Sequence, residues 1–271
     1  MLQVGQILQQ RYQLKTKLSR STGRQTWLAA DLKTPAKPHV ILKLLSFGGD
    51  IDWNDLKLFE REGKILQQLN HPYIPQYRDY FTIDERYLWF GLVQEYIAGQ
   101  SLKELLEQGK RFNLPEIEDI ARQILDILLY LHELTPRVIH RDIKPSNLIW
   151  GKDEKIYLID FGAVQDKAVT EGATFTVVGT YGYAPMEQFG GRAVPASDLY
   201  SLGATLIHLL TGTPPGDLPT KDLKIQFQNQ ISLTAAEYNH SNKSNNLIRW
   251  IEKLTEPALE KRFSSAKIAK E

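Results

Sequence analysis

The sequence predicts an α+β chain in which a small strand-rich part precedes a larger helix-rich part. Three observations point there. Residues 4–46 alternate and turn like strands, in Tyr12-Gln-Leu, Thr26-Trp-Leu-Ala-Ala and Val40-Ile-Leu-Lys-Leu-Leu. Two more strand-like runs, Gln76–Thr82 and Arg86–Tyr96, follow a single helical stretch. From Leu102 onward the apolar spacing turns helical.

Taken in order, the early helix spans Asp52 to Asn70, with Leu56, Phe59, Ile65, Leu66 and Leu69 on one face. His71-Pro72 stops it, because proline disfavours helix in the residue before it. Ile117 to Leu134, rich in Ile and Leu at helical spacing, reads as a buried helix. The join between the two parts falls near Tyr96–Gly99, giving expected parts of 1–96 and 97–271. No internal repeat or low-complexity tract is visible.

The chain has 271 residues, enough for one large domain or two parts sharing a sizeable core. Its 42% apolar and 24% charged residues are those of an ordinary globular protein. A net charge of +1, with Lys and Arg spread along the chain, argues against nucleic acid or an anionic membrane as main partner. Cysteine is absent, which removes disulfides, thiolate metal sites and thiol catalysis. The N-terminus lacks a basic segment and a long apolar core, so no signal peptide is evident. No apolar run approaches the ~20 residues that cross a bilayer; Leu202 to Leu210 is interrupted by Gly203 and His208.

The chemistry concentrates between Val138 and Gly162. The run is Val-Ile-His-Arg-Asp-Ile-Lys-Pro-Ser-Asn-Leu-Ile-Trp, a charged turn from Gly151 to Lys155, then Ile-Tyr-Leu-Ile-Asp-Phe-Gly. Leu148–Trp150 and Ile156–Ile159 around that turn predict a two-stranded hairpin. A hairpin returns the end of its second strand to the start of its first, so Asn147 and Asp160 should converge, with Asp142 just before them. Mg²⁺ takes hard oxygen ligands and keeps waters, using one or two protein groups plus substrate phosphates. Asp160 and Asn147 can supply such ligands, Asp142 can accept the proton of an attacking hydroxyl, and Lys144 can approach a migrating phosphoryl group.

The stretch resembles the catalytic loop His-Arg-Asp-x-x-x-x-Asn and the Asp-Phe-Gly motif of protein kinases. The chain looks like a serine/threonine protein kinase of the bacterial, eukaryotic-like type. That resemblance implies the bilobal α+β kinase fold, ATP with Mg²⁺ (or Mn²⁺) as cofactors, protein substrates and a cytoplasmic location. It implies that Lys43 holds the nucleotide's phosphates and pairs with Glu62, Glu60 being the competing acid on a different helix face. Backbone groups of Glu95 and Ile97 would hydrogen-bond adenine, with Gln94 as a polar gatekeeper. Leu18, Thr26, Ile41 and Ile149 complete the implied nucleotide contacts.

The phosphate loop departs from the family pattern. Where Gly-x-Gly-x-x-Gly is expected, the chain has Ser19-Arg20-Ser21-Thr22-Gly23-Arg24, with Gly23 one place early. Glycines let backbone N–H groups approach phosphate and take positive φ; Ser19 and Ser21 permit a similar path at some cost, and Arg24 either meets phosphate or points away. Ile41 stands where a small residue usually lies over adenine. These departures carry the second reading, a pseudokinase that keeps the fold and acts as a nucleotide-sensing or partner-binding module. The retention of Lys43, Asp142, Asn147 and Asp160 carries the first.

Gly179-Thr-Tyr-Gly-Tyr-Ala-Pro-Met-Glu187 resembles the end of an activation segment. Glu187 should pair with Arg262, and Asp198, at the start of a buried helix, should hold the catalytic-loop backbone. Lys144 and Thr180 point to Ser/Thr as acceptor. Arg141 implies pairing with a phosphorylated residue, with Thr170, Thr174 and Thr176 as candidates. A packed column of Leu66, Tyr77, His140 and Phe161 is also implied.

Overall fold

A computed structural model describes residues 2–21, 23–47, 51, 53–84, 88–166, 179–231 and 241–271. Thr170, Thr174 and Thr176 lie outside the described residues, as do Thr22, Asp52 and Arg86. The chain divides into two compact units, Met1–Ala98 and Gly99–Glu271, two residues beyond the expected join.

The first unit is an antiparallel sheet of strands β1 (Ile7–Leu8), β2 (Tyr12–Ser21), β3 (Arg24–Asp31), β4 (His39–Phe47), β5 (Tyr77–Asp84) and β6 (Leu88–Glu95), in the order β1-β2-β3-β4-β6-β5. Alternate residues point to one face, so Leu14, Trp27, Ala29, Leu42, Leu44 and Val93 build a shared core. At the edge of that core Arg11 bridges Asp31 at 2.7 Å and Asp79 at 3.0 Å, and the Tyr12 hydroxyl donates to Asp79 at 2.6 Å. Helix α1 (Trp53–Gln68) buries Leu56, Phe59, Glu62, Ile65 and Leu66. Strand β5 starts one residue later and runs two residues further than the sequence pattern suggests. Its pairing with β6 carries the register through Asp84↔Leu88.

The second unit opens with β7 (Gly99–Ser101) and α2 (Leu102–Glu107). The Ser101 hydroxyl accepts from Glu104 N–H, while the Glu104 carboxylate accepts from Ser101 N–H. Helix α3 (Leu114–Glu133) begins three residues before Ile117, because Asn113 and Glu116 form the same reciprocal cap and Pro115 suits a first turn. Strands β8 (Val138–Ile139), β9 (Leu148–Gly151), β10 (Ile156–Leu158) and β11 (Gln165–Asp166) follow, then α4 (Met186–Phe189) and α5 (Pro195–Thr211). Helix α5 is apolar almost all round and sits at the centre of the unit, packed by α3, by α6 (Ser241–Leu254) and by the short α7 (Ala266–Lys270).

The expected ion pair between Glu187 and Arg262 is present at 2.7 Å. Arg262, 4% exposed, also donates to the carbonyls of Ala196, Glu256 and Pro257, and its guanidinium lies 5.0 Å from the Tyr200 ring centroid. The same Glu187 oxygen accepts from the Ser197 hydroxyl at 2.9 Å, tying α4 to the start of α5. Arg262→Leu leaves a carboxylate and three carbonyls without their donor. It should cost about 3–5 kcal/mol, read as a lowered midpoint in urea unfolding. Glu187→Gln keeps hydrogen-bonding partners for both neighbours and should cost less than half of that.

Candidate functional site

Strands β9 and β10 pair antiparallel with Leu148 opposite Leu158, and Ile159 N–H donates to the Asn147 carbonyl at 2.9 Å. The hairpin therefore brings Asn147 and Asp160 to one end, as the spacing requires. A single 3₁₀ turn, Pro145–Asn147, folds the preceding loop back so that Asn147 Nδ2 reaches Asp142 Oδ2 at 2.9 Å and the Asp142 carbonyl at 2.8 Å. Lys144 Nζ lies 2.8 Å from Asp142 Oδ2 and 2.7 Å from Thr180 Oγ1. The Thr180 hydroxyl donates to Asp142 Oδ1 at 2.8 Å. A carboxylate, an ammonium, a hydroxyl and an amide thus meet within hydrogen-bonding reach.

The loop backbone is fixed from beneath. Asp198 on α5 is fully buried; Oδ2 accepts from His140 N–H at 2.9 Å and Oδ1 from Arg141 N–H at 2.8 Å. His132 Nε2 stands 2.9 Å from Oδ2. These contacts hold Arg141 at φ +68°, a left-handed conformation that costs a non-glycine residue on the order of 1–2 kcal/mol. Asp160 sits likewise at φ +69°. Arg141 is pinned further, its Nε donating to the Ala163 carbonyl at 2.6 Å and its own carbonyl accepting from Gln188 Nε2 at 2.7 Å. His140 and Phe161 meet edge to face, ring centroids 4.9 Å apart.

Burial pushes the Asp198 carboxyl upward, but the His132 hydrogen bond, the neighbouring His132 and His140 rings and the Arg141 N–H outweigh it, so Asp198 titrates below its ordinary 3.8. Burial moves His140 below 6.5, against the pull of Asp198 and Asp142, and so favours a neutral ring. His132 and Gln188 were not singled out by the sequence reading. A signal for His132 existed: it lies four residues after Leu128, on the buried face of α3, where a polar residue needs a partner.

In the first unit Lys43 Nζ meets Glu62 Oε1 at 2.5 Å, and Glu62 is 4% exposed. The competing Glu60 instead lines a cavity of about 280 Å³ with Gly63, Lys64, Gln67, Tyr77 and Tyr80. Thr26 lies opposite Lys43 across β3–β4, and Ile41 lies opposite the buried Gln94 across β4–β6. Glu95 N–H is taken by the Gln76 carbonyl, and Ile97 follows the end of β6. Leu18 is half exposed on β2, Ser19 pairs opposite Thr26, and Ser21 pairs opposite Arg24. Leu66 is buried on α1 and Tyr77 opens β5. Ile149, in the second unit, lies opposite Tyr157 on β10 and Ser101 on β7.

The Arg24 guanidinium pairs with Asp55 on the first turn of α1 at 2.7 Å. Gly23, at φ +66°, gives its carbonyl to Ser46 N–H at 2.8 Å and abuts Ile51, where a Cβ would meet Cγ1 at 2.2 Å. The glycine that came one place early in the pattern is thus the one that closes the β2–β3 turn.

A depressed carboxyl pKa contributes stability that is present above the unfolded value and lost as pH falls through the folded one. The thermal advantage of the wild type over Asp198→Asn should therefore persist down to about pH 5 and shrink below about pH 4, by thermal unfolding across that range.

Comparison with known proteins places this geometry. The protein kinase domain family matches residues 32–271. The chain is 39% identical over 223 residues to serine/threonine-protein kinase B of Synechocystis sp., which covers 77% of this chain and 38% of that protein. It is 37% identical over 228 residues to serine/threonine-protein kinase PknA of Nostoc sp., covering 80% and 40%. It is 32% identical over 216 residues to serine/threonine-protein kinase PrkC of Bacillus subtilis, covering 79% and 32%. The chain spans a third to two fifths of the length of these relatives. With the matched residues taking in the Asp142 loop, the Asp160 hairpin end, the Asp198 post and the Lys43–Glu62 pair, the chain belongs to the protein kinase family.

Proposed function

We propose that this chain transfers the γ-phosphate of ATP to Ser or Thr hydroxyls of protein substrates, itself among them. The observation that carries the reading is the contact of the Thr180 hydroxyl with both Asp142 and Lys144. An aliphatic hydroxyl held on Asp142 Oδ1 is the arrangement that an incoming Ser or Thr needs.

Asp142 orients that hydroxyl and accepts its proton as the new bond to phosphorus forms, a role worth about 10²–10⁴ in rate. Lys144, beside both partners, offsets the negative charge gathering on the transferred group. Asn147 spends its Nδ2 on Asp142, which fixes the carboxylate, while its amide oxygen accepts from the Ser146 hydroxyl at 3.4 Å and keeps a second lone pair for a cation. Lys43 grips the phosphates of the nucleotide, and Glu62 holds the ammonium in place.

Among the described residues no group of three His, Cys, Asp or Glu is arranged to hold a metal ion. Two oxygen donors, Asn147 and Asp160, fit a hard cation that completes its shell with phosphates and water, which is the habit of Mg²⁺ and also open to Mn²⁺. Such a cation would neutralise phosphate charge when bound. No helix among the described residues is long and apolar enough to cross a membrane, and a need for ATP assigns the reaction to the cytoplasm. The relatives' printed names lend no support to the alternative of a non-catalytic module.

Transfer of labelled γ-phosphate to the protein and to a generic Ser/Thr substrate tests the proposal. Asp142→Asn should lower kcat by at least about 10²-fold while Mg²⁺-ATP still raises the melting temperature. Lys43→Met should remove most of that thermal shift. A wild type that folds and binds Mg²⁺-ATP but transfers nothing, with Mg²⁺ or Mn²⁺, would overturn the reading.

A further inference from the structure

Helix α1 has a second face beside its apolar stripe. Glu60, Gly63, Lys64 and Gln67 fall at i, i+3, i+4 and i+7, which share one side of a helix. With Tyr77 and Tyr80 of β5 these residues line the cavity of about 280 Å³. Two residues three apart on a strand ordinarily point to opposite faces. The register shift between Tyr77 and Asp79 inserts an extra residue on β5, and both rings reach the cavity.

Two features of this lining work against folding. Gly63 stands in the interior of α1, where glycine is worse than alanine. Neither a positive φ nor crowding calls for it: a Cβ there would meet Leu92 Cδ1 and Tyr80 Cδ2 at 3.5 Å, ordinary van der Waals contact. The second feature is the Tyr80 hydroxyl, which is buried and has no hydrogen-bond partner among the described residues. Burial, then the charges of Glu60 and Tyr77, push it up to about 12, so it keeps its proton and has a donor to offer. A helix position that leaves space open, beside a hydroxyl left unpaired, is what a ligand site needs and a packed core does not.

We propose that this cavity binds a small aromatic carboxamide, its ring against Tyr77 and Tyr80, its carbonyl accepting from the Tyr80 hydroxyl and its N–H donating to the Glu60 carboxylate. The site lies wholly within the first unit and is independent of the phosphotransfer reading. Its volume is just under the range of drug-sized sites, about 300–1,000 Å³, which suits one substituted ring. A carboxylate in the same place would meet the charge of Glu60, and an ammonium would leave the Tyr80 hydroxyl without an acceptor. A carboxamide offers acceptor and donor side by side. Lys64 and Gln67, both exposed, form the rim.

The test is a titration of benzamide into the intact protein, followed through the Gln67 and Leu92 amide signals by NMR. A saturable shift with Kd of about 1–10 mM is expected for so small a ligand. Tyr80→Phe should unfold at no lower a urea concentration than the wild type, because it removes the unpaired hydroxyl. It should bind benzamide about three- to tenfold more weakly. Gly63→Leu fills the space and should weaken binding at least about tenfold. Gly63→Ala, which should raise the urea midpoint, decides in its place if the leucine variant does not fold, with a loss of at least about threefold. Benzoate should bind the wild type at least about fivefold more weakly than benzamide, and Glu60→Gln should erase that preference. The proposal is overturned by the absence of a saturable shift up to about 50 mM benzamide. Wild-type affinity in Tyr80→Phe or in the folded Gly63 variant, or benzoate binding as tightly as benzamide, would overturn it equally.

Discussion

The second unit depends on one buried carboxylate. Asp198 sits on a helix that is apolar on nearly every side, which is an expensive place for a charge. Two backbone N–H groups and the His132 ring surround it and offset that cost by taking the place of water. The consequence runs in both directions. The donors make the charge tolerable, and the charge makes His140 and Arg141 adopt a backbone path, with φ +68° at Arg141, that they would not adopt unaided. Asp142, the next residue, inherits its position from that path. Its side chain is then trimmed into place by Asn147, Lys144 and Thr180.

Residues whose chemistry dictates their spacing were the ones the sequence revealed. Asp142, Lys144, Asn147 and Asp160 lie on one loop and one hairpin, so short-range geometry brings them together. The Lys43–Glu62 pair was legible through the resemblance, and the two side chains meet between a strand and a helix of the first unit. Glu187 with Arg262 and Asp198 beneath the loop were legible through the resemblance, since their partners lie 75 and 57–58 residues away. Boundaries were less so. Helix α3 starts at Leu114 because a reciprocal cap at Asn113 and Glu116 outweighs the later start of the apolar stripe.

What stayed hidden were side chains whose partners are set by packing alone. His132 reads as one more residue of a buried face until Asp198 is placed beside it. The direction of Arg24 depends on how the β2–β3 hairpin meets the first turn of α1, and alternation within a strand does not determine that. The serines at 19 and 21 looked like poor substitutes for glycine. They pair with β3, Ser19 just past a register shift, and among the described residues of this loop the left-handed position falls on Gly23, where a glycine is present.

Gly182 and Gly216 touch across a gap that admits no side chain, and a Cβ on Gly216 would also lie 2.7 Å from the Tyr181 ring. The neighbouring Tyr181 and Gly182 are thus packed against the distant Gly216. An alanine at 216 demands a smaller or displaced residue at 181, and an alanine at 182 demands that the 215–217 turn retreat. A side chain added at Gly182 meets backbone of the 215–217 turn, whereas one added at Gly216 meets the exposed Tyr181 ring, so the two glycines differ in what has to yield.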